Sequence, residues 1–464
     1  MSNSKNMKKS AVVLFILMII SKFLGIIRES VMFSYYGAGT IADVYVTSSG
    51  IPNILFGIIA GGLISTFIPI YSRVHQREGE ERASQFMNNT LTVIFFITLV
   101  FLVIGLFFTE ELVLLNAQGY EGEKLAMTVD FTRITLFALL TNGVFSIFSG
   151  YHQHEGRFYV APVTGFFLNF VVISSIIVSS AYAKPIIMAY GLVLGSLFQL
   201  LFASIIALTK GKHKYKFTFN LKDEYIKPMI VMALPIIFGS SITQINTLID
   251  RTIASTLFDG SVAVINNASK ISDAVFSLFV SSLTTVMYPT IIKQANKKQY
   301  TELKSTITEI MNIISIIVIP ATIGVLILAE PVVNLFFRKE GADAAIALYN
   351  IKIALMGEII GLFAISIKDV LVRTFYSLND SKTPVYSSIV SIILNVILNL
   401  ALKPYLGVAG LTLATSISTY IGTLILYLAL NKRLQGLQTK RLLKTVGKIF
   451  AASMFMGVAV FFVH

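Results

Sequence analysis

Long apolar runs recur along this chain between short polar breaks, and each run reaches the ~20 residues that a helix needs to cross a bilayer. They fall at 11–36, 41–72, 84–108, 125–149, 158–182, 185–209, 227–257, 262–291, 303–336, 343–377, 383–402, 406–430 and 443–463, thirteen segments in all. The pattern predicts an all-α polytopic membrane protein. Polar positions inside the runs are few, and the stretch from Lys22 to Pro69 collects Lys22, Arg28, Glu29 and Asp43 within two otherwise apolar segments. An ionisable group at membrane depth costs ~3 kcal/mol even on lenient insertion scales, so it is kept where it faces a watery cavity or a partner.

Lys22 and Arg28 are six residues apart, about a turn and a half, which puts them on neighbouring helix faces able to look into one cavity. Gly25, Gly37, Gly39, Gly50 and Pro52 interrupt the same hairpin, and such breaks are tolerated at membrane depth where backbone lines a cavity or packs closely. The other reading has Lys22 and Arg28 snorkelling to an interface and Asp43 in a wet loop.

Composition narrows the class. Of the 464 residues 55% are hydrophobic and 13% charged, against roughly 25% charged in soluble domains, and the mean hydropathy is +0.77. A net charge of +13 could suggest nucleic acid, but Lys and Arg cluster in short loops between apolar runs, which is an orientation signal and not a nucleic-acid footprint. With no cysteine in the chain, disulfides, thiolate chemistry and Cys-ligated metals are excluded. MSNSKNMKKS leads into a long apolar run without a small-residue cleavage site, so a retained first helix is expected.

Basic residues crowd one set of alternate connections, at Lys5 to Lys9, Arg73 to Arg82, Arg157, Lys210 to Lys227, Lys293 to Lys304, Lys382 and Lys432 to Lys448. The opposite set holds Lys124, Lys184, Arg338, Lys339 and Lys403 beside Glu110, Glu111, Glu121 and Glu123. A cytoplasmic amino terminus follows. Arg251 reads as an intrahelical neighbour of Asp250, whereas Lys270, about nine residues into its span, is hard to place at an interface.

The chain also repeats weakly. ISTFIPIYSRV near Pro69 resembles LTTVMYPTIIKQ near Pro289, FYVAPVTGFFLNFVV around Pro162 resembles SKTPVYSSIVSIILNVIL around Pro384, and AYGLVLGSLFQ resembles VAGLTLATSIS. An offset of about 220 residues, six helices, keeps both copies in the same orientation and implies a pseudo-twofold axis along the membrane normal. The expected organisation is two six-helix lobes around a central cavity, 1–215 as the amino lobe with a cationic cavity and 216–432 as the carboxyl lobe, with 433–464 an extra helix.

SKFLGIIRES followed by YGAGTIADVY, GIPN and the FIP of the second helix resembles the signature hairpin of the MurJ (MviN-like) lipid II flippases, in the multidrug/oligosaccharidyl-lipid/polysaccharide exporter superfamily. RTFYSLNDSKTP, from Arg373 to Pro384, resembles the tract that family carries between its tenth and eleventh helices, and the resemblance extends over about 9–430. It implies that Lys22, Arg28 and Lys270 hold the pyrophosphate of a lipid-linked sugar, with Asp43 matching the family's acidic residue. Two of these cations are Lys where Arg is common, which keeps charge but loses the bidentate fork. Phe56 and Gly57 stand where the family has an arginine pair, and Gly61 where it has Glu. The resemblance further implies a sodium site from Asp250, Asn395, Asn399 and Thr415, with Leu411 as a carbonyl donor, all oxygen ligands suited to a hard cation. Asn399 replaces a carboxylate, and the two Asn residues, at i and i+4 on one helix face, could equally bridge helices by hydrogen bonds.

The function so implied is a flippase, not an enzyme. It would move an undecaprenyl-pyrophosphate-linked saccharide, lipid II first of all, from the inner to the outer leaflet of the bacterial cell membrane. Alternating access, driven by an ion gradient or the membrane potential, is the expected mechanism, in a monomer whose partners are its substrate and membrane lipids. A flippase for a capsule, teichoic or O-antigen type precursor is the alternative that the missing arginines favour. A multidrug/cation antiporter would want acids and aromatics in a cleft that is basic here. A membrane glycosyltransferase would want carboxylates on a large outer loop, and every loop on that side is short. The sequence has no HExxH, GxSxG or P-loop pattern, and His152 and His154 are expected in a solvated loop.

Overall fold

A computed structural model describes the backbone of residues 2–209 and 215–463, and within these the side chains of all but 2–15, 59–61, 63–65, 235, 238, 240, 243 and 463. Among the described residues every regular element is a helix and there is no strand. Helix α1 (Ser2–Tyr36) is followed by α2 (Thr40–Phe107), α3 (Thr109–Asn116), α4 (Gly122–Thr135), α5 (Ala138–His154), α6 (Val160–Ala181), α7 (Ile187–Thr209) and α8 (Ile226–Ser255). Then come α9 (Ser261–Val275), a π-helical turn at Phe276–Ser281, α10 (Ser282–Asn296), α11 (Tyr300–Ile327), α12 (Ala329–Phe336), α13 (Ala342–Ser377), α14 (Lys382–Arg433) and α15 (Thr439–Val463). Among the described residues nine helical stretches are long and apolar enough to cross a membrane. The chain is an all-α, multi-pass membrane protein.

Two of the long helices carry more than one expected segment. In α2 the direction changes at Gly79 (φ 85°) and in α14 at Gly407 (φ 53°), left-handed conformations that glycine adopts without a Cβ penalty. Gly79 lies between the apolar runs 41–72 and 84–108, and Gly407 at the start of the run 406–430.

Packing divides the chain into two compact units, Met1–Asp259 and Gly260–His464. Helix α8 therefore packs with the first. The lobes expected at 1–215 and 216–432, with 433–464 an extra helix, rest on the internal repeat and are a proposal.

The first unit is centred on α2, α5, α7 and α8, where Phe67 stacks on Phe86 with ring centroids 5.9 Å apart and Tyr71 meets Tyr151 edge-on at 5.8 Å. In the second unit Leu303, Ile307, Ile310 and Ile314 of α11 line one face and pack with Ile359, Leu362 and Leu371 of α13 and Leu426 and Leu430 of α14. In lipid there is little hydrophobic drive between helices, so close backbone approach and hydrogen bonds hold them together. Along α13 and α14, Gly357 lies against Thr412 and Gly361 against Ser416, while Ser416 Oγ donates to Gly357 O at 2.7 Å and Thr423 Oγ1 to Ala364 O at 3.0 Å.

The turn inside RTFYSLNDSKTP is pinned by Asp380. Its carboxylate accepts from Thr383 N at 3.0 Å and Thr383 Oγ1 at 2.9 Å, and pairs with Arg433. Burial works against ionisation there, but the Thr383 hydrogen bonds and the Arg433 guanidinium outweigh it and hold the carboxyl below its ordinary range. His152 departs from expectation. It is buried at the end of α5, with Nε2 2.9 Å from Ala203 O, because α7 covers a helix end that the local pattern predicts to be solvated. His154 is partly covered too, edge-on to Tyr71 at 4.9 Å.

Candidate functional site

Helix α1 packs along α6, with Tyr36 Oη 2.7 Å from Ser179 Oγ and Ser21 against Gly165. This seats Arg28 with its side chain 20% exposed, Nη2 donating to Glu29 Oε1 at 2.7 Å. The Nε of Arg28 is buried and has no hydrogen-bond partner. Lys22, by contrast, is exposed. A half-buried guanidinium with an unmatched donor suits an oxyanion such as phosphate, since the planar guanidinium and two phosphate oxygens pair through parallel N–H···O bonds.

Asp43 is in the first turn of α2 and fully buried. Its partner is Lys124 on α4, with Nζ 2.8 Å from Asp43 Oδ2 and also 2.8 Å from Asp259 Oδ1, and 4.0 Å from the centre of the Tyr120 ring. Tyr120 is buried and its hydroxyl lies 3.0 Å from Thr47 Oγ1. Thr135 Oγ1 donates to Ser48 O at 2.7 Å, and Gly119 N donates to Ser255 Oγ at 3.0 Å. The segment from Leu115 to Lys124 is thereby tied to the start of α2 and the end of α8.

Lys124 was not among the residues singled out by sequence, because it sits in an acidic connection and looks like an ordinary loop cation. One signal pointed to it. A buried carboxylate demands a cation, and Lys124 is the one basic residue between Arg82 and Arg133.

Lys270 belongs to the second unit, on α9, and is half-buried, two turns before the π-helical turn at Phe276–Ser281. Its neighbour Ser269 donates to Glu358 Oε2 on α13 at 2.9 Å. π-Turns of this kind recur at functional sites in helices. Further along α13, Arg373 Nε donates to Asp369 Oδ2 at 2.9 Å and its guanidinium stands over the Tyr288 ring at 5.5 Å.

The candidate sodium ligands divide between the units. Asp250 is in the first, on α8, accepting from Asn246 Nδ2 at 3.0 Å. The other four meet in the second. Asn399 Nδ2 donates to Asn395 Oδ1 at 3.0 Å, Asn395 Nδ2 to Thr415 Oγ1 at 3.0 Å, and Thr415 Oγ1 to Leu411 O at 3.1 Å. Both Asn side chains are buried. The donor set is oxygen throughout and neutral, which fits a hard monovalent cation by its chemistry, and the same chain of bonds also bridges the two halves of α14. Among the described residues no three His, Cys, Asp or Glu side chains cluster as a transition-metal site would require.

The family profile described as Lipid II flippase MurJ matches residues 32–464. A chain named "Probable lipid II flippase MurJ" from Buchnera aphidicola subsp. Baizongia pistaciae is 27% identical over 466 aligned positions, covering 98% of this chain and 90% of the relative. One of the same name from Vibrio cholerae is 27% identical, covering 93% and 84%. Among solved structures, a lipid II flippase MurJ in an inward closed conformation superposes with TM-score 0.83 at 22% identity, covering 97% of this chain and 93% of that one. An inward-facing multidrug resistance MATE family transporter of the MOP superfamily does so with TM-score 0.79 at 15% identity, covering 92% and 99%. The structural likeness establishes the fold, and because the profile match runs through both units and the full-length relatives share its extent, the chain belongs to the lipid II flippase MurJ family.

Proposed function

We propose that this chain is a transporter that moves an undecaprenyl-pyrophosphate-linked saccharide, lipid II in the first instance, from the inner to the outer leaflet of the bacterial cell membrane. The observation that carries the reading is the family match over residues 32–464. Arg28 supports it, as a half-buried guanidinium whose Nε is unmatched, with Lys22 and Lys270 as further cations for the headgroup. A pyrophosphate cannot enter hydrocarbon unaided, so these side chains replace its hydration while the polyprenyl tail stays in lipid. No covalent bond is made or broken, so the chain acts as a carrier and not as a catalyst.

The amino terminus is cytoplasmic in this reading, on the strength of the basic connections, and alternating access is reset by an ion gradient or the membrane potential. Sodium is the coupling ion best matched by Asn395, Asn399, Thr415 and the Leu411 carbonyl, which would hold it through oxygen. Asn395→Ala, which also opens the link to Thr415, is expected to abolish sodium binding by the purified chain in isothermal calorimetry; unchanged binding excludes this site.

The reading is tested by depleting the resident lipid II flippase of a bacterium and expressing this chain. Growth is expected to be restored. A second reading, transport of a capsule or teichoic-type precursor, is favoured by Phe56 and Gly57 standing where the family's arginine pair would be. Failure to restore growth together with rescue of a capsule flippase mutant would select it.

A further inference from the structure

Arg251, on α8, packs its guanidinium directly onto the backbone of α2 at Gly50. A Cβ on Gly50 would stand 1.6 Å from Arg251 Nη1 and 2.8 Å from Cζ, so only the missing side chain makes room for it. One face of α2 repeats this two turns on, where a Cβ on Gly57 would stand 2.7 Å from Gln244 Nε2. Gly50 and Gly57 are seven apart on α2, and Arg251 and Gln244 seven apart on α8, so the two helices run antiparallel with polar side chains laid into glycine positions.

Among the described residues no carboxylate forms an ion pair with the Arg251 guanidinium. Asp43 and Asp259 pair with Lys124, and Asp250, next in sequence to Arg251, accepts from Asn246. Arg251 Nη1 is buried without a hydrogen-bond partner among the described residues, and the residue as a whole is partly buried. Arginine does not shed its proton to escape this situation, and an unmatched buried donor calls for an acceptor, which a ligand, an ion or water can supply.

We propose that Arg251, seated by Gly50, is a phosphate-binding residue that contacts the pyrophosphate of the transported lipid. The inference rests on the function proposed above and adds to it a contact from α8 that the first hairpin does not provide. Gly50 fixes the plane of the fork, which is what bidentate recognition of phosphate oxygens needs.

The test uses the full chain in phosphatidylcholine nanodiscs, titrated with undecaprenyl pyrophosphate, undecaprenyl monophosphate and phosphatidylglycerol. Arg251→Gln is expected to weaken pyrophosphate binding by about tenfold or more, Arg251→Lys by less, and phosphatidylglycerol binding should stay unchanged. Gly50→Ala keeps the charge but evicts the guanidinium from its seat, so it should weaken binding as well, and it carries the test where Arg251→Gln fails to fold. Wild-type affinity in Arg251→Gln and Gly50→Ala, with affinity lost in Arg28→Ala, overturns this inference and leaves the proposed function standing. A wild-type chain that binds no pyrophosphate lipid overturns both. Equal weakening for phosphatidylglycerol overturns the assignment to substrate and makes the residue a contact for bulk lipid phosphate.

Discussion

Replacing either Asp43 or Lys124 by alanine is expected to destabilise the first unit by about 3–5 kcal/mol, the range found when one member of a buried ion pair is removed. Asp43 is fully buried and Lys124 only 11% exposed on its side chain, with 2.8 Å between Nζ and Oδ2. Taking away Lys124 deprives a fully buried carboxylate of its ammonium partner; taking away Asp43 leaves an ammonium whose remaining acidic partner, Asp259, is 71% exposed. The pair as a whole is worth much less than either loss, because both charges were desolvated to form it. Asp43→Asn combined with Lys124→Met should therefore recover most of the stability, and a double-mutant cycle read by unfolding in detergent should show strong coupling. Asp259→Ala should cost about 1 kcal/mol or less, as exposed ion pairs do. Additive effects of the Asp43 and Lys124 substitutions would show that the two side chains do not depend on each other.

The pair also illustrates what the sequence could and could not disclose. The thirteen apolar runs all fall on helices, because the bilayer leaves a backbone no other way to satisfy its hydrogen bonds over ~20 apolar residues. Asp43 was marked as abnormal by its surroundings alone. Its partner was not, since Lys124 lies 81 residues further on in a connection that looks solvated, and pairing across that distance is a property of helix packing and not of local pattern. The same holds for His152, whose cover comes from Ala203 on α7, and for Arg251, which looked like a companion of Asp250 and instead rests on Gly50. By contrast, Asn395 and Asn399 are one turn apart, so their shared face and their mutual bond were readable directly. Charges with local partners are legible; charges whose partners arrive from another helix are legible only as a demand.

Arg28 raises that demand most sharply, and its substitution is expected to have the largest effect on transport. Arg28→Ala should reduce flipping of a fluorescent polyprenyl-pyrophosphate glycolipid in proteoliposomes by about ten- to a hundredfold, since hydrogen bonds to charged groups contribute about 1.5–3 kcal/mol each. Lys270→Ala and Lys22→Ala should also lower the rate, and Lys22, the more solvated of the three, least. Glu29 provides the discriminating control. Its side chain is 5% exposed and it accepts from Arg28 Nη2 at 2.7 Å, so if Arg28 existed to neutralise Glu29, removing the acid would make the arginine dispensable. Glu29→Gln is expected to keep or raise flipping, because it frees the guanidinium for phosphate, while Glu29→Gln with Arg28→Ala should remain as slow as Arg28→Ala alone. Arg28→Lys should fall between, retaining charge without the fork. Recovery of wild-type flipping in the double variant would assign Arg28 to its neighbouring acid and remove the guanidinium from the transport site.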